Sequence, residues 1–209
     1  MSRFDTIVMV DWSGGNDRGA VPKPDAIWAG VVREGIEEDP VYLRNRQVAE
    51  AWLAGLFREE IAAGRRVLAG FDFPFGYPQG VARAVTGKAD PFAFWDWLEA
   101  RIEDGPQRNN RWQVAAGINA LFPGVGPFWG NGTRRDLEHL PRKGRDRRGH
   151  GCAEFRQVET LAKGTFTVWQ LAGVGAVGSQ VLIGLPVLAR LRRRFDTAVT
   201  VWPFEAATG

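Results

Sequence analysis

Of 209 residues, only one is cysteine, two are histidine, two are methionine and two are tyrosine. A single Cys excludes an internal disulfide framework and any all-cysteine zinc site within one chain. His150 and Cys152 are two residues apart, but a zinc site would need both, His139 and an acid together, so none is expected. The same two residues are too close in a loop to face each other as a nucleophile and its base. Ser13 and Ser179 lack a partner His, which disfavours a hydrolase triad. No apolar run reaches the ~18–20 residues of a membrane-spanning helix. The opening MSRFDTIVMVDW is too short, and too acidic at its end, for a secretion signal. No membrane partner and a cytoplasmic location are therefore expected.

At 44% hydrophobic and 24% charged residues, the composition is that of a globular protein, not of a disordered or fibrous one. The length suits one α/β domain with an insertion. A net charge of +3 is unevenly spread. Residues 134–148 hold seven basic side chains (Arg134, Arg135, Arg142, Lys143, Arg145, Arg147, Arg148) and three acidic ones, a local +4 that leaves −1 for all the rest. Nine Trp are many for this length, though core packing absorbs such residues readily.

Short apolar runs separated by turns predict strands at residues 6–10, 26–32, 41–44, 66–71 and 198–202. Residues 33–40 read as an acidic turn. Val48, Trp52, Leu53, Leu56, Phe57 and Ile61 recur at helical spacing, and Gly64 stops them. Asp90-Pro91 predicts an N-cap and first residue ahead of Phe92, Trp95, Leu98 and Ile102. Residues 105–151 are rich in Gly, Pro, Asn and Arg and lack a period, so they predict an insertion or lid after the fourth strand. Residues 154–162 and 181–194 predict two more helices, the second containing Pro186. The order predicts a first and fourth strand lying parallel.

Three acids then follow one pattern: Asp11 closes the first strand, Asp72 the fourth, and Glu205 lies just past the fifth. Parallel sheets build sites at such carboxyl edges. Carboxylates gathered there repel one another unless protonated or neutralised, and Mg²⁺ or Mn²⁺ is the simplest neutraliser, since hard cations take oxygen ligands. Glu50, in the first turn of the first helix, starts at the same edge and is a fourth candidate; Glu60 lies at the far end and is excluded. Each acid also has a plain reading as a turn former, a cap or a solvated side chain.

The segments Val10-Asp11-Trp12-Ser13-Gly14, Phe71-Asp72-Phe73-Pro74-Phe75-Gly76 and Val201-Trp202-Pro203-Phe204-Glu205 resemble three signature segments of the domain-of-unknown-function 429 family, whose members are described as predicted nucleases of ribonuclease H-like fold. The meander, helix and parallel strands also match that fold: a single domain over residues 1–209, with a five-stranded mixed sheet, flanking helices and the basic insertion at about 105–151. The resemblance implies a metal-dependent carboxylate site on Asp11 and Asp72. Arg156-x-x-Glu159 is similar to a further Arg-plus-acid segment. An acid of the family's last strand is here Thr200, with Glu205 as its substitute, and the fold's closing C-terminal helix is expected to be missing.

What the resemblance implies chemically is a phosphodiester hydrolase acting on nucleic acid through Mg²⁺ or Mn²⁺ on Asp11, Asp72 and Glu205. Ser13, Arg134, Arg135, Arg145, Arg147, Arg148 and Arg156 would bind the phosphates, with Trp112, Phe128 and Trp129 just upstream as aromatic neighbours. The plain alternative for the strip is a solvated charged loop. Two other functions stay open. The turn from Asp11 to Gly15 also resembles the first phosphate loop of the actin, sugar-kinase and chaperone ATPases, and a non-catalytic protein of the same fold would present the basic strip to nucleic acid or a phosphorylated small molecule. No Walker loop is present. The GxGxxG spelled by Gly173, Gly175 and Gly178 reads as a close-packed turn, and Gly124-Val125-Gly126 leads into Pro127 instead of a helix.

Overall fold

In the computed structural model, which describes residues 4–15, 17–162 and 164–206, β1 (Thr6–Asp11) alternates buried and open residues, with Thr6, Val8 and Val10 inward. This is the period-two pattern of a strand covered on one face. β2 (Ile27–Arg33) repeats it with Ile27, Ala29 and Val31. β2 pairs antiparallel with β1, with β3 (Ile36–Glu37) and with β4 (Val41–Arg44), while β5 (Val67–Phe71) pairs parallel with β1. The result is an α/β chain with a five-stranded, open, mixed sheet in which β5 follows β1 at the end of the strand order. The expected meander and the parallel first and fourth predicted strands are as observed.

Helix α1 (Arg46–Ala62) begins at Asn45, whose side chain accepts the Val48 amide, and ends ahead of Gly64 at φ +69°. Its buried stripe of Ala49, Leu53, Ala54, Leu56 and Phe57 joins the inward residues of β1 and β2 in one core. Two further charged residues on that stripe are also buried, Arg46 at its start and Glu60 at its end.

The strand expected at 198–202 is not formed. A 3-10 turn at Asp196–Ala198 opens the segment with Asp196 at φ +42°. The chain then folds back, the amides of Phe204 and Glu205 both reaching the Val201 carbonyl. Pro203 removes the next ladder donor, and Trp202 is 75% exposed. The fifth strand of the sheet is instead the two-residue β3, inside the segment read as an acidic turn.

The chain divides into two compact units. The first contains the sheet, α1, and the described residues of 105–108 and 190–209. The second comprises 74–104 and 109–189, so that most of the expected insertion is built together with the segment before it. It holds α2 (Val81–Thr86), α3 (Pro91–Glu99), α4 (Arg111–Asn119) and α5 (Gln157–Thr160). Asp90 caps α3 as expected, its side chain accepting the Phe92 amide at 2.9 Å. α2 and α4 were not foreseen, and of the helix expected over 154–162 only the single turn of α5 forms. Helix α6 (Gly178–Phe195) starts in the second unit and ends in the first. It accommodates Pro186 because residues 181–189 are all buried, so packing carries the helix across the missing bond. No helix among the described residues is long and apolar enough to cross a membrane.

Glu60 joins sheet to helix. Its carboxylate accepts from Thr6 Oγ1 at 2.7 Å and from Arg65 Nε and Nη2 at 2.7 and 2.9 Å, with Arg33 at 3.2 Å. Those bonds, led by the one from Arg65, hold its pKa at about 2 instead of 4.5. A carboxyl that ionises more readily when folded stabilises fully above its ordinary pKa, and the contribution is lost as pH falls through the folded value. Glu60→Gln is therefore expected to cost about 2 kcal/mol near pH 7 and to flatten the acid limb of stability between the two values, as urea unfolding across the acid range would measure.

Candidate active site at the carboxyl edge of β1 and β5

The parallel register ends with Val10 opposite Phe71, so the next residue on each strand is an aspartate, Asp11 and Asp72. The Asp72 amide donates to the Val10 carbonyl at 3.3 Å, and the Trp12 amide donates to Asp72 Oδ1 at 2.8 Å. Trp12 is 1% exposed and packs its ring at 6.0 and 5.5 Å from those of Phe71 and Phe73, whereas Asp11 and Asp72 are exposed. Pro74 and the Gly14-Gly15 turn end the ladder and let both side chains leave the packed layer. Partial desolvation, then the Asp11 charge and a side-chain hydrogen bond with Asp11, raise the Asp72 carboxyl above its usual value, against the Trp12 amide.

Glu205 does not join them. Its carboxylate takes Arg192 Nη2 at 2.5 Å and the Val201 amide at 2.8 Å, and the Arg192 bond lowers its pKa. The expected strand that would have carried it to the sheet edge is the turn described above. Glu50 is held by Arg190 Nη2 at 2.6 Å. Among the described residues no three His, Cys, Asp or Glu side chains gather as a metal group, so Asp11 and Asp72 stand as a pair.

Ser13 lies beside this pair in sequence, its hydroxyl accepting the Gly15 amide at 3.0 Å. The residues sequence reasoning passed over are those that hold its loop. Arg46, 1% exposed, donates from Nη1 to the carbonyls of Ser13 at 3.1 Å and Gly15 at 2.5 Å. Asn45 Nδ2 donates to the Asp17 carbonyl, and the Tyr42 hydroxyl to Asp17 Oδ2. That hydroxyl, with the Gly19 amide and Lys23, holds the Asp17 carboxyl far below the usual range. The one available signal was an arginine on the apolar stripe of α1, immediately after an Asn cap.

The basic strip lies in the second unit, and part of it is structural. Arg147 forms two bonds to Glu154, at 2.9 and 3.1 Å, and lies over the Trp129 ring. Arg142 pairs with Asp136 at 2.7 Å. Arg156 reaches back to Glu159 Oε1 at 3.0 Å and its amide to Oε2 at 2.7 Å, closing the turn of α5. Arg134, Arg135, Lys143, Arg145 and Arg148 are exposed and form no ion pair among the described residues. Of the expected aromatic neighbours, Phe128 is fully buried, and Trp112 and Trp129 are half-buried.

No family model matches the chain, and no curated protein or solved structure matches it either.

The remaining sequence candidates resolve simply. Gly178 opens α6 where a Cβ would sit 2.4 Å from the Val168 carbonyl oxygen, and Phe166 covers Gly175, a close-packed turn. The Ser179 hydroxyl donates to the Leu171 carbonyl and receives Arg111 Nε. His150 Nδ1 accepts the Cys152 amide, and burial pushes the Cys152 thiol up to about 11, away from the thiolate form.

The fold disfavours the ionised form of Asp72, a penalty that develops as pH rises through the ordinary 3.8 and beyond. Asp11→Asn is expected to lower the Asp72 pKa toward that value without restoring it fully, since desolvation remains. It should also raise the melting temperature at neutral pH and not in acid. Carboxyl NMR titration and thermal melts at both pH values check this.

Proposed function

We propose that the protein is a cytoplasmic, metal-dependent phosphodiester hydrolase of ribonuclease H-like fold, acting on nucleic acid. The observation that carries this reading is the Asp11–Asp72 pair on adjacent parallel strands, exposed and unmatched by any cation among the described residues. A meander followed by a helix and a strand parallel to the first supports the fold assignment, together with the Asp-Trp-Ser-Gly and Phe-Asp-Phe-Pro segments that resemble the domain-of-unknown-function 429 family.

The donor set fits a hard divalent ion, Mg²⁺ or Mn²⁺: two carboxylates supply oxygen ligands, and their repulsion is what a cation would relieve. With Glu205 and Glu50 tied to arginines, the pair is read as holding one ion and not two. Bound there, such an ion supplies Lewis-acid polarisation of a phosphate oxygen and a water of lowered pKa. The chain's own part is to hold and orient. Asp11 and Asp72 are the ligands, and the Trp12 amide fixes Asp72 through Oδ1. Ser13 and its loop border the reacting phosphate. Arg134, Arg135, Arg145 and Arg148, in the second unit, are exposed cations of the kind that bind phosphates.

The kinase-like alternative keeps one observation in its favour, a Gly-rich turn directly after Asp11. Oligonucleotide cleavage separates the two. Labelled single- and double-stranded oligonucleotides should be cut with Mn²⁺ and left intact with a chelator. Asp11→Asn and Asp72→Asn should each lower the rate about 100-fold, the scale of removing a group that stabilises developing charge, whereas Glu205→Gln should stay near wild type. Cleavage that survives loss of both aspartates, or ATP turnover without oligonucleotide cleavage, overturns the reading.

A further inference from the structure

Arg46 is a buried guanidinium spent on main-chain oxygens of the loop that follows the aspartate site. Its bonds to the Ser13 and Gly15 carbonyls fall on the turn that leaves β1 after Asp11 and Trp12. A trans peptide is planar, and its carbonyl and amide point in opposite directions. The Ser13–Gly14 bond is trans, so drawing the Ser13 carbonyl onto Arg46 turns the Gly14 amide away from the guanidinium. The Gly15 amide is already taken by Ser13 Oγ. The Gly14 amide has no partner among the described residues, and Gly14 itself is half-open to solvent. Tyr42 and Asn45 clasp the same loop further on at Asp17, so the turn is held from both sides of residue 16 by one short stretch, the junction of β4 and α1.

We propose that Arg46 is a positioning residue that sets the Ser13–Gly15 turn, so that the Gly14 amide seats an oxygen of the substrate phosphate beside Asp11 and Asp72. This rests on the phosphodiester reading of the site. An amide fixed by its peptide plane needs no reorganisation when an anion arrives, and the buried positive charge of Arg46 adds to the attraction. The aspartates themselves repel a phosphate, so a cationic brace on the other side of the turn is what lets an anion approach them.

The test uses inorganic phosphate and Mn²⁺, titrated separately by calorimetry into wild type, Arg46→Lys and Arg46→Met, with thermal melts alongside. Phosphate should bind Arg46→Met about tenfold more weakly or worse and Arg46→Lys within about threefold of wild type, since Lys keeps the charge and can donate to the carbonyls. Mn²⁺ affinity should not fall in either variant. Equal phosphate binding in a folded Arg46→Met protein overturns the proposal. So does a parallel loss of Mn²⁺ and phosphate, the mark of a residue that only holds the fold. If Arg46→Met does not fold, ¹⁵N-labelled wild type decides: phosphate must shift the Gly14 amide resonance, and an unmoved Gly14 overturns the proposal. Phosphate that shifts Gly14 in a protein that cleaves no oligonucleotide leaves this inference standing and removes the hydrolase reading.

Discussion

The parallel pairing of β1 with β5 is the constraint from which the rest of the site follows. Its register sets Val10 against Phe71, and because each strand is followed at once by an aspartate, two like charges are brought to one edge. A one-residue slip would move one of them to the opposite face. The register is held by more than ladder bonds. Gly70 stands opposite Met9, and a Cβ there would come within 2.6 Å of the Met9 side chain, so this glycine lets the two strands pair with Met9 laid across. The Trp12 amide then fastens Asp72 at the end of the ladder, and the ring of Trp12, packed against Phe71 and Phe73, blocks any continuation.

Four other acids of the first unit contrast with this pair. Glu60, Glu50 and Glu205 each meet an arginine, and Asp17 meets Lys23 and the Tyr42 hydroxyl. Where a shift is resolved for these matched acids it is downward. Asp72 alone among the acids of this unit moves upward. Two adjacent carboxylates with no cation paired to them among the described residues carry an electrostatic cost at one point on the surface. Local departures of this kind are where binding chemistry tends to be found.

Much of this was legible in the sequence where the signal was local. Asp11 and Asp72 could be placed because a short β-branched run and a breaker mark a strand end without any tertiary information, and Asp90-Pro91 could be placed because a cap is a bond over two residues. The failures are those where tertiary structure decides. Residues 198–202 have strand composition, but a 3-10 turn precedes them, Pro203 removes a ladder donor and the chain folds back onto the Val201 carbonyl, so a turn wins. Pro186 would break an isolated helix, yet α6 runs through it because the surrounding core holds it. Arg156 and Arg147 read as phosphate ligands until Glu159 and Glu154 are seen beside them. Arg46 was invisible for the opposite reason: the groups of Ser13 and Gly15 that it holds are backbone carbonyls, which every residue has and no motif records.

The charge balance takes on a different meaning once partners are assigned. A strip of +4 suggested a cationic surface as a whole, but Arg142 and Arg147 are neutralised by Asp136 and Glu154, so the part open to a ligand is Arg134, Arg135, Lys143, Arg145 and Arg148. In the first unit, Asp11 and Asp72 lie side by side with no cation paired to either among the described residues. The protein's nearly neutral total thus conceals a run of exposed cations in the strip and two adjacent carboxylates at the edge of β1 and β5. Phosphate binding uses exposed cations, and cation binding uses paired carboxylates. A polyanionic substrate cleaved with the help of a divalent ion requires both, which is why the unmatched charges, and not the net charge, carry the functional argument.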